Sequence, residues 1–230
     1  IKQISYLLKK LGININTVPV LDIRRKKGNK IIDDRSYSTN KKIISNIGNI
    51  CLAKFQKNKI CTVLKHIPGH GRALVDSHSA LPIVDVTIEK LMETDFEVFR
   101  SFKHLPLAMT AHVIFSDIDL SNPATVSRKV IKEVVRGHMG YEGLLISDDL
   151  SMQALSGNMK ERTESALDAG CDVVLHCNAK MDEMFNVVTG AKFITENASQ
   201  RWLTACKLLG PLKDFDVEKT KSQFNKLFTP

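Results

Sequence analysis

Apolar and polar positions along this chain follow two alternating periods. Short runs rich in β-branched and aliphatic residues, Ile13–Leu21, Thr62–Lys65, Leu107–Val113, Gly143–Ile146 and Asp172–Leu175, read as strands. Between several of them, apolar residues recur three or four apart, as on one face of a helix. Ile1, Ile4, Leu8 and Leu11 make one such face, closed by Gly12 as a C-terminal cap. Ile88, Leu91, Met92, Phe96, Phe99 and Phe102 make a second, preceded by Thr87 as an N-cap. Val130, Ile131, Val134 and Val135 make a third, entered from Ser127 and stopped around Gly137 and Gly140. Glu161–Ala169 is a short fourth helix that ends at Gly170.

Strands that alternate with helices imply a parallel sheet with helical crossovers, in a single domain spanning 1–230. The polar residues that end the apolar runs say more. Asp22 follows the first run, Lys65 and His66 the second, His112 the third, Asp148 the fourth and His176 the fifth. Both a barrel and a doubly wound sheet keep their chemistry at the carboxyl ends of parallel strands.

Two stretches are dense in candidate chemistry, KHIPGHGRALVDSH (65–78) and GLLISDDLSM (143–152). Leu144-Leu145-Ile146 runs into Ser147-Asp148-Asp149 without a turn residue, so Asp148 is oriented by its strand and partly desolvated. Those properties suit a nucleophile, with Asp149 left to cap the following turn or to support its neighbour. In Asp76-Ser77-His78 the carboxylate can hold one ring nitrogen and leave the other to exchange a proton. Gly69 and Gly71 make this a loop able to move over a substrate. Lys65 and His66 would face opposite ways on a regular strand, yet both can reach a ligand at a strand end. Arg35 reads equally well as a substrate contact or as an ion-pair partner of Asp33 or Asp34.

Other chemistries fare less well. Gly69-x-Gly71 lacks the third glycine of a dinucleotide loop, because position 74 is Leu. Ser77 and Ser147 lack the surroundings of a serine-hydrolase elbow. His66, His70 and His78 stand as an alternative metal-dependent hydrolase site, although their spacing matches no common metal motif; for His70 the blander reading is a loop histidine bonded to backbone. No cofactor is expected.

Composition narrows the class. The 230 residues are 43% hydrophobic and 25% charged, as in an ordinary globular protein, and no apolar run is long enough for a membrane helix. Lys and Arg number 33 against 25 Asp and Glu, a net charge of +8. The densest basic cluster, Arg24-Arg25-Lys26-Lys27 with Lys30, has no interleaved aromatics and reads as a solvated loop, so neither a nucleic acid nor a membrane partner is expected. The five cysteines include no C-x-x-C pair, which suits a reducing, cytoplasmic setting. The chain starts at Ile1 without Met, and is expected to begin inside a longer protein.

Taken together, VPVLDI (18–23), DRSYS (34–38), KHIPGHGRALVDSHSALPIVD (65–85), AMTAHVIFSDID (108–119), GLLISDDLSM (143–152) and ALDAGCDVVLHCN (166–178) resemble the bacterial β-N-acetylhexosaminidases of glycoside hydrolase family 3. The single-domain, peptidoglycan-recycling type is the nearest in pattern. That resemblance implies a (β/α)8 TIM-type barrel, of which this chain supplies about the last five βα units. It implies a retaining mechanism with Asp148 as nucleophile, His78 as general acid/base and Asp76 as its dyad partner. Arg35, Lys65 and His66 would bind the sugar hydroxyls of a small carbohydrate, on a monomeric enzyme. The His–Asp dyad departs from the usual pair of carboxylates in retaining glycosidases. Family members also carry three earlier strands, the third with an Asp-Gln-Glu-Gly-Gly segment that nothing here matches. An open five-stranded half-barrel with long unpaired edges is therefore expected, and an inactive sugar-binding fragment is the further alternative.

Overall fold

A computed structural model describes residues 1–26, 28, 32–211 and 215–226. Lys27 and Lys30 of the basic cluster lie outside the described residues. The chain opens with α1 (Lys2–Lys10), after which Gly12 adopts a left-handed φ of 75°, as its place beyond the helix end requires. Then follow β1 (Ile15–Asn16), a 3-10 turn over Asp33–Arg35, α2 (Lys41–Lys57) and β2 (Cys61–Ile67). Next come β3 (Ile83–Val84), α3 (Ile88–Glu93), α4 (Asp95–Arg100), β4 (Leu107–Thr110) and β5 (Ile114–Phe115). A π-helix (Val130–His138) leads to β6 (Leu144–Asp149), α5 (Met159–Ala169), β7 (Val173–Leu175), α6 (Met181–Gly190), α7 (Glu196–Cys206) and α8 (Val217–Asn225).

Five strands form one parallel sheet in the order β1-β2-β4-β6-β7, the order of the five sequence runs. A second sheet, β3 with β5, pairs Ile83–Val84 with Ile114–Phe115 and was not apparent in the pattern. Alternation along each strand divides the core between two faces of the main sheet. Leu64, Ala108 and Leu145 face outward into the large cluster with Leu21, Ile44, Phe96, Phe102, Val134 and Ala166. Cys61, Val63, Leu107, Met109 and Leu144 face the other way, where Ala198 and Ala205 of α7 pack on them.

Three of the predicted helices need adjustment. The second is broken in two at Thr94 (φ −124°, ψ −85°), because Asp95 turns inward to the guanidinium groups of Arg25 and Arg72 at 2.9 and 2.7 Å. Arg25 is thus an internal ion-pair partner rather than part of a solvated loop. The third is a π-helix, and Ser127 caps it by accepting from the Val130 amide. The fourth starts two residues early, because Asn158 and Glu161 form a reciprocal capping box. The 17-residue α2 carries a helical period, Ile44, Gly48, Cys51, Leu52 and Phe55, that the sequence reading passed over. Gly48 occupies a core position there, since a Cβ would come within 2.9 Å of Leu21.

The two edge strands of the main sheet are β1 and β7, of two and three residues. Long bare edges were expected; short ones are found. Among the described residues, no helix is long and apolar enough to cross a membrane.

Candidate active site

The inward-facing row of each strand continues past the core into polar residues at the strand end. On β2 it reaches Lys65 and on β6 Asp148, and both line a cavity of about 490 Å³ with Met109 and Leu175. His66, one residue off that row, lines it too. The register between β2 and β4 shifts between Leu64 and Ile67, which breaks the alternation that would have turned His66 away. Arg35, His70, Ser77 and His78 add to the polar lining, with Thr17, Asp149 and Cys177. Five of the six residues singled out by sequence therefore border one cavity, and Asp76 is bonded to the fifth.

Asp148 is a carboxylate held in place from several sides. Its Oδ1 accepts from the Asp149 amide at 2.9 Å, and its Oδ2 lies 3.9 Å from His66 Nε2. Burial by itself would raise its pKa, yet His66, His112, the Asp149 amide and Lys65 together hold it below the usual carboxylate value. It stays ionised at neutral pH. Burial and the Arg35 guanidinium lower the Lys65 ammonium, against the pull of Asp148 and Asp22. Arg35 sits on the 3-10 turn, where Asp33 is taken by Arg24 at 2.6 Å.

Beneath the cavity lies Asp22, fully buried, whose role the sequence did not reveal beyond its place after a strand. Its Oδ2 accepts from His66 Nδ1 at 2.7 Å, and its Oδ1 accepts from the His70 amide at 2.6 Å. Burial pushes its pKa up, but His66 and His70 more than offset that and leave it lowered. Because a carboxylate only accepts, His66 must carry its proton on Nδ1 and turn Nε2 toward Asp148.

A second buried chain supports the backbone at Asp148. The Asp148 amide donates to Thr110 Oγ1 (3.3 Å), which pairs with Thr125 Oγ1 (2.8 Å); Thr125 Oγ1 in turn lies 2.7 Å from His112 Nδ1. His112 Nε2 then donates to the Asp149 carbonyl at 3.0 Å. The donors run in one direction only if His112 is neutral, and burial lowers its pKa. The Asp149 side chain accepts from Ser151 and from the Cys177 amide, the supporting role expected of it. His176, by contrast, pairs with Glu183 at 3.0 Å and takes no part in the lining.

On the far side of the cavity, His78 Nδ1 donates to Asp76 Oδ1 at 2.8 Å, and the same oxygen accepts the His78 amide at 2.9 Å. Slight burial raises the Asp76 pKa, but the bonds from His78 leave it lowered. Nε2 remains the ring atom that can exchange a proton. His70 differs from expectation, since its Nε2 meets the Ser77 hydroxyl at 3.1 Å rather than backbone. Gly71 differs as well. A Cβ there would lie 2.1 Å from the Ile23 carbonyl, so this glycine permits close packing rather than motion. The three histidines of the metal alternative turn to Asp22, Ser77 and Asp76. Among the described residues, no three His, Cys, Asp or Glu side chains gather as a metal site.

The chain resembles known proteins. Residues 2–202 match the model of the glycosyl hydrolase family 3 N-terminal domain. A β-hexosaminidase of Haemophilus influenzae is 36% identical over 192 residues, which are 81% of this chain and 53% of that protein. The chain spans about half the length of the curated relatives it matches. Among solved structures, a family 3 β-N-acetylglucosaminidase from Paenibacillus superposes with a TM-score of 0.80 at 31% identity, covering 93% of this chain and 44% of that one. NagZ from Neisseria gonorrhoeae, in complex with N-trifluoroacetyl-D-glucosamine, has a TM-score of 0.80 at 27% identity, over 96% of this chain and 62% of that one. The open parallel sheet is thus an arc of the barrel-like domain in those structures.

Proposed function

The chain belongs to glycosyl hydrolase family 3, and on that premise we propose that its protein is a retaining β-N-acetylhexosaminidase. The observation that carries this reading is the single cavity bordered by Asp148 on a strand end and His78 on a loop. Asp148 attacks the anomeric carbon of a terminal β-linked N-acetylglucosamine, and the glycosidic C–O bond breaks. His78 Nε2, protonated at the start, gives its proton to the departing oxygen while Asp76 holds Nδ1. In the second step the now neutral imidazole takes a proton from water. That water attacks the anomeric carbon and releases Asp148, with two inversions amounting to retention. A histidine replaces the second carboxylate of ordinary retaining enzymes, and Asp76 supplies the negative charge that a neutral ring lacks.

Lys65 and Arg35 donate to the sugar hydroxyls, and His66 Nε2 accepts from one. His66 is well placed for this, because Asp22 fixes its tautomer. The substrate is a muropeptide containing 1,6-anhydro-N-acetylmuramic acid, met in peptidoglycan recycling by a monomeric enzyme. A cytoplasmic setting agrees with five cysteines that are all unpaired.

The test is turnover of an aryl β-N-acetylglucosaminide by Asp148→Asn in the whole protein. A loss of at least about 10³-fold is expected for removal of a nucleophile. Undiminished turnover would refute the assignment. Mass spectrometry of the wild-type protein with a slow 5-fluoro N-acetylglucosaminyl fluoride should place the covalent adduct on the peptide containing Asp148.

A further inference from the structure

The loop that carries Asp76 and His78 is held firmly at its base and loosely at its tip. At the base, Arg72 Nε donates to Asp95 Oδ2 at 2.7 Å, and Arg72 Nη2 donates to Thr94 Oγ1 at 3.1 Å. Toward the tip, Leu74, Val75 and His78 are exposed. Ser77 is the exception, buried to 2% exposure between two neighbours that are not. Its hydroxyl meets His70 Nε2 at 3.1 Å, and its carbonyl accepts the Ala154 amide, from the loop after β6, at 3.2 Å.

His70 has little else to do. Its ring is buried, and its Nδ1 finds no hydrogen-bond partner among the described residues. An imidazole buried with one nitrogen unsatisfied is a poor way to fill a core, since an apolar side chain would do so without that cost. What His70 adds is one directed bond to the loop. Its own position is set by Asp22 Oδ1, on the same carboxylate whose Oδ2 orients His66 toward Asp148. One buried carboxylate therefore fixes both the nucleophile's neighbour and the anchor of the opposite loop.

We propose that His70 and Ser77 form a latch that sets the closed position of the acid/base loop, so that His78 is aligned for proton transfer only while the hydroxyl–imidazole bond is made. Both are positioning residues that act through His78. The proposal rests on the roles given above to Asp148 and His78. Misplacing a general acid costs most when the leaving group needs a proton and least when it does not.

The experiment compares chitobiose, whose sugar leaving group requires protonation, with the 2,4-dinitrophenyl β-N-acetylglucosaminide, whose leaving group does not. For Ser77→Ala and His70→Ala in the whole protein, kcat/KM for chitobiose should fall about ten- to hundredfold. For the dinitrophenyl substrate the fall should be under about threefold, and azide should restore its kcat by replacing the water that needs a base. Ser77→Thr, which keeps a hydroxyl, and His70→Gln, whose amide can reach the Nε2 position, should recover most of the loss. Hydrogen exchange provides a readout independent of activity: Ser77→Ala should raise exchange over residues 74–80 and leave 144–149 unchanged. Equal losses on both substrates, no loss on chitobiose, or unaltered loop exchange would each overturn the latch. Asp148→Asn, assayed alongside, separates the two claims, since dinitrophenyl turnover unharmed by that change refutes the catalytic reading itself.

Discussion

Asp148 ends a strand inside two networks of buried hydrogen bonds, whereas His78 projects from a loop with 55% of its side chain in solvent. On the strand side the buried polar groups around Asp148 brace one another. Asp22 holds His66, and Thr110, Thr125 and His112 tie the Asp148 amide to the Asp149 carbonyl. On the loop side the dyad is local, an Asp and a His two residues apart that bond each other twice. A nucleophile must meet one carbon at one angle and gains from a rigid mount. An acid that first protonates a leaving group and later deprotonates water works beside a site that must also admit and release sugar. The contrast predicts that changes on the loop side cost activity with little stability, and that changes on the strand side cost both.

The largest effect expected under this contrast is on the loop. His78→Ala should lower kcat for a substrate with an unactivated leaving group by about 10²–10⁴-fold, the usual contribution of a positioned acid/base. Its urea midpoint should stay within experimental error of the parent, because an exposed dyad contributes little to folding. A His78→Ala protein that unfolds much earlier would break the comparison at once.

Asp22→Ala tests the strand side. It strips a buried partner from His66 Nδ1 and from the His66 and His70 amides together, so about 3–5 kcal/mol of folding free energy should go. Urea unfolding followed by circular dichroism measures that loss. A variant as stable as the parent would mean that Asp22 is not the post on which both sides hang.

How far this division could be read in sequence depends on how local each half is. Asp76-Ser77-His78 is local, and its bond follows from a spacing of two. Asp148 was legible because an apolar run fixes the strand and its parity. Asp22 was not, because its meaning lies in His66, 44 positions away, and no pattern near residue 22 announces that partner. The break at Thr94 escaped for the same reason. The apolar period runs straight through it, while the cause, Arg25 with Asp95, is 70 positions apart in sequence. The helix over Lys41–Lys57 is a different case. Its period was present, but a glycine stood where the core face asked for an apolar side chain. The (β/α)8 relationship came from the motifs, and five runs of β-branched residues alone would have fitted an open sheet as well.

Acid sharpens the contrast at a smaller scale. Burial, with some repulsion from His66, lowers His70 from its ordinary value of 6.5 to about 4, and burial lowers His112 as well. Unfolded histidines bind protons that these folded ones refuse, so stability should fall as pH drops from about 6.5 toward 4. For His70 the full loss is about 3 kcal/mol. The carboxylates act later. Asp22, Asp148 and Asp76 are all lowered, and their contribution persists until pH falls below the ordinary carboxylate value. Urea midpoints measured from pH 7.5 down to 4 should therefore decline already between 6.5 and 5. In His70→Gln that early decline should shrink, whereas His78→Ala should keep it whole. A flat profile down to pH 4.5 would mean that the buried imidazoles titrate without cost.

The smallest effect probes the chain behind Asp148. Thr125→Val keeps the shape of the side chain and removes the one hydroxyl shared by Thr110 and His112. His112 Nδ1 then lacks its donor and the Thr110 hydroxyl its acceptor, while the Asp148 amide keeps its bond to Thr110. Two buried groups left half-satisfied should cost about 1–2 kcal/mol of stability, read from the urea midpoint. The catalytic consequence is more specific. His112 would be free to tilt, and the Asp149 carbonyl it holds at 3.0 Å would loosen with it, only one residue from Asp148. Lys65 and Arg35, the sugar contacts of the proposed mechanism, lie outside this chain, so KM should hold while kcat falls severalfold. A change in KM with kcat intact would place the bracing of the strand side elsewhere, and would leave Asp22 as its only firm support.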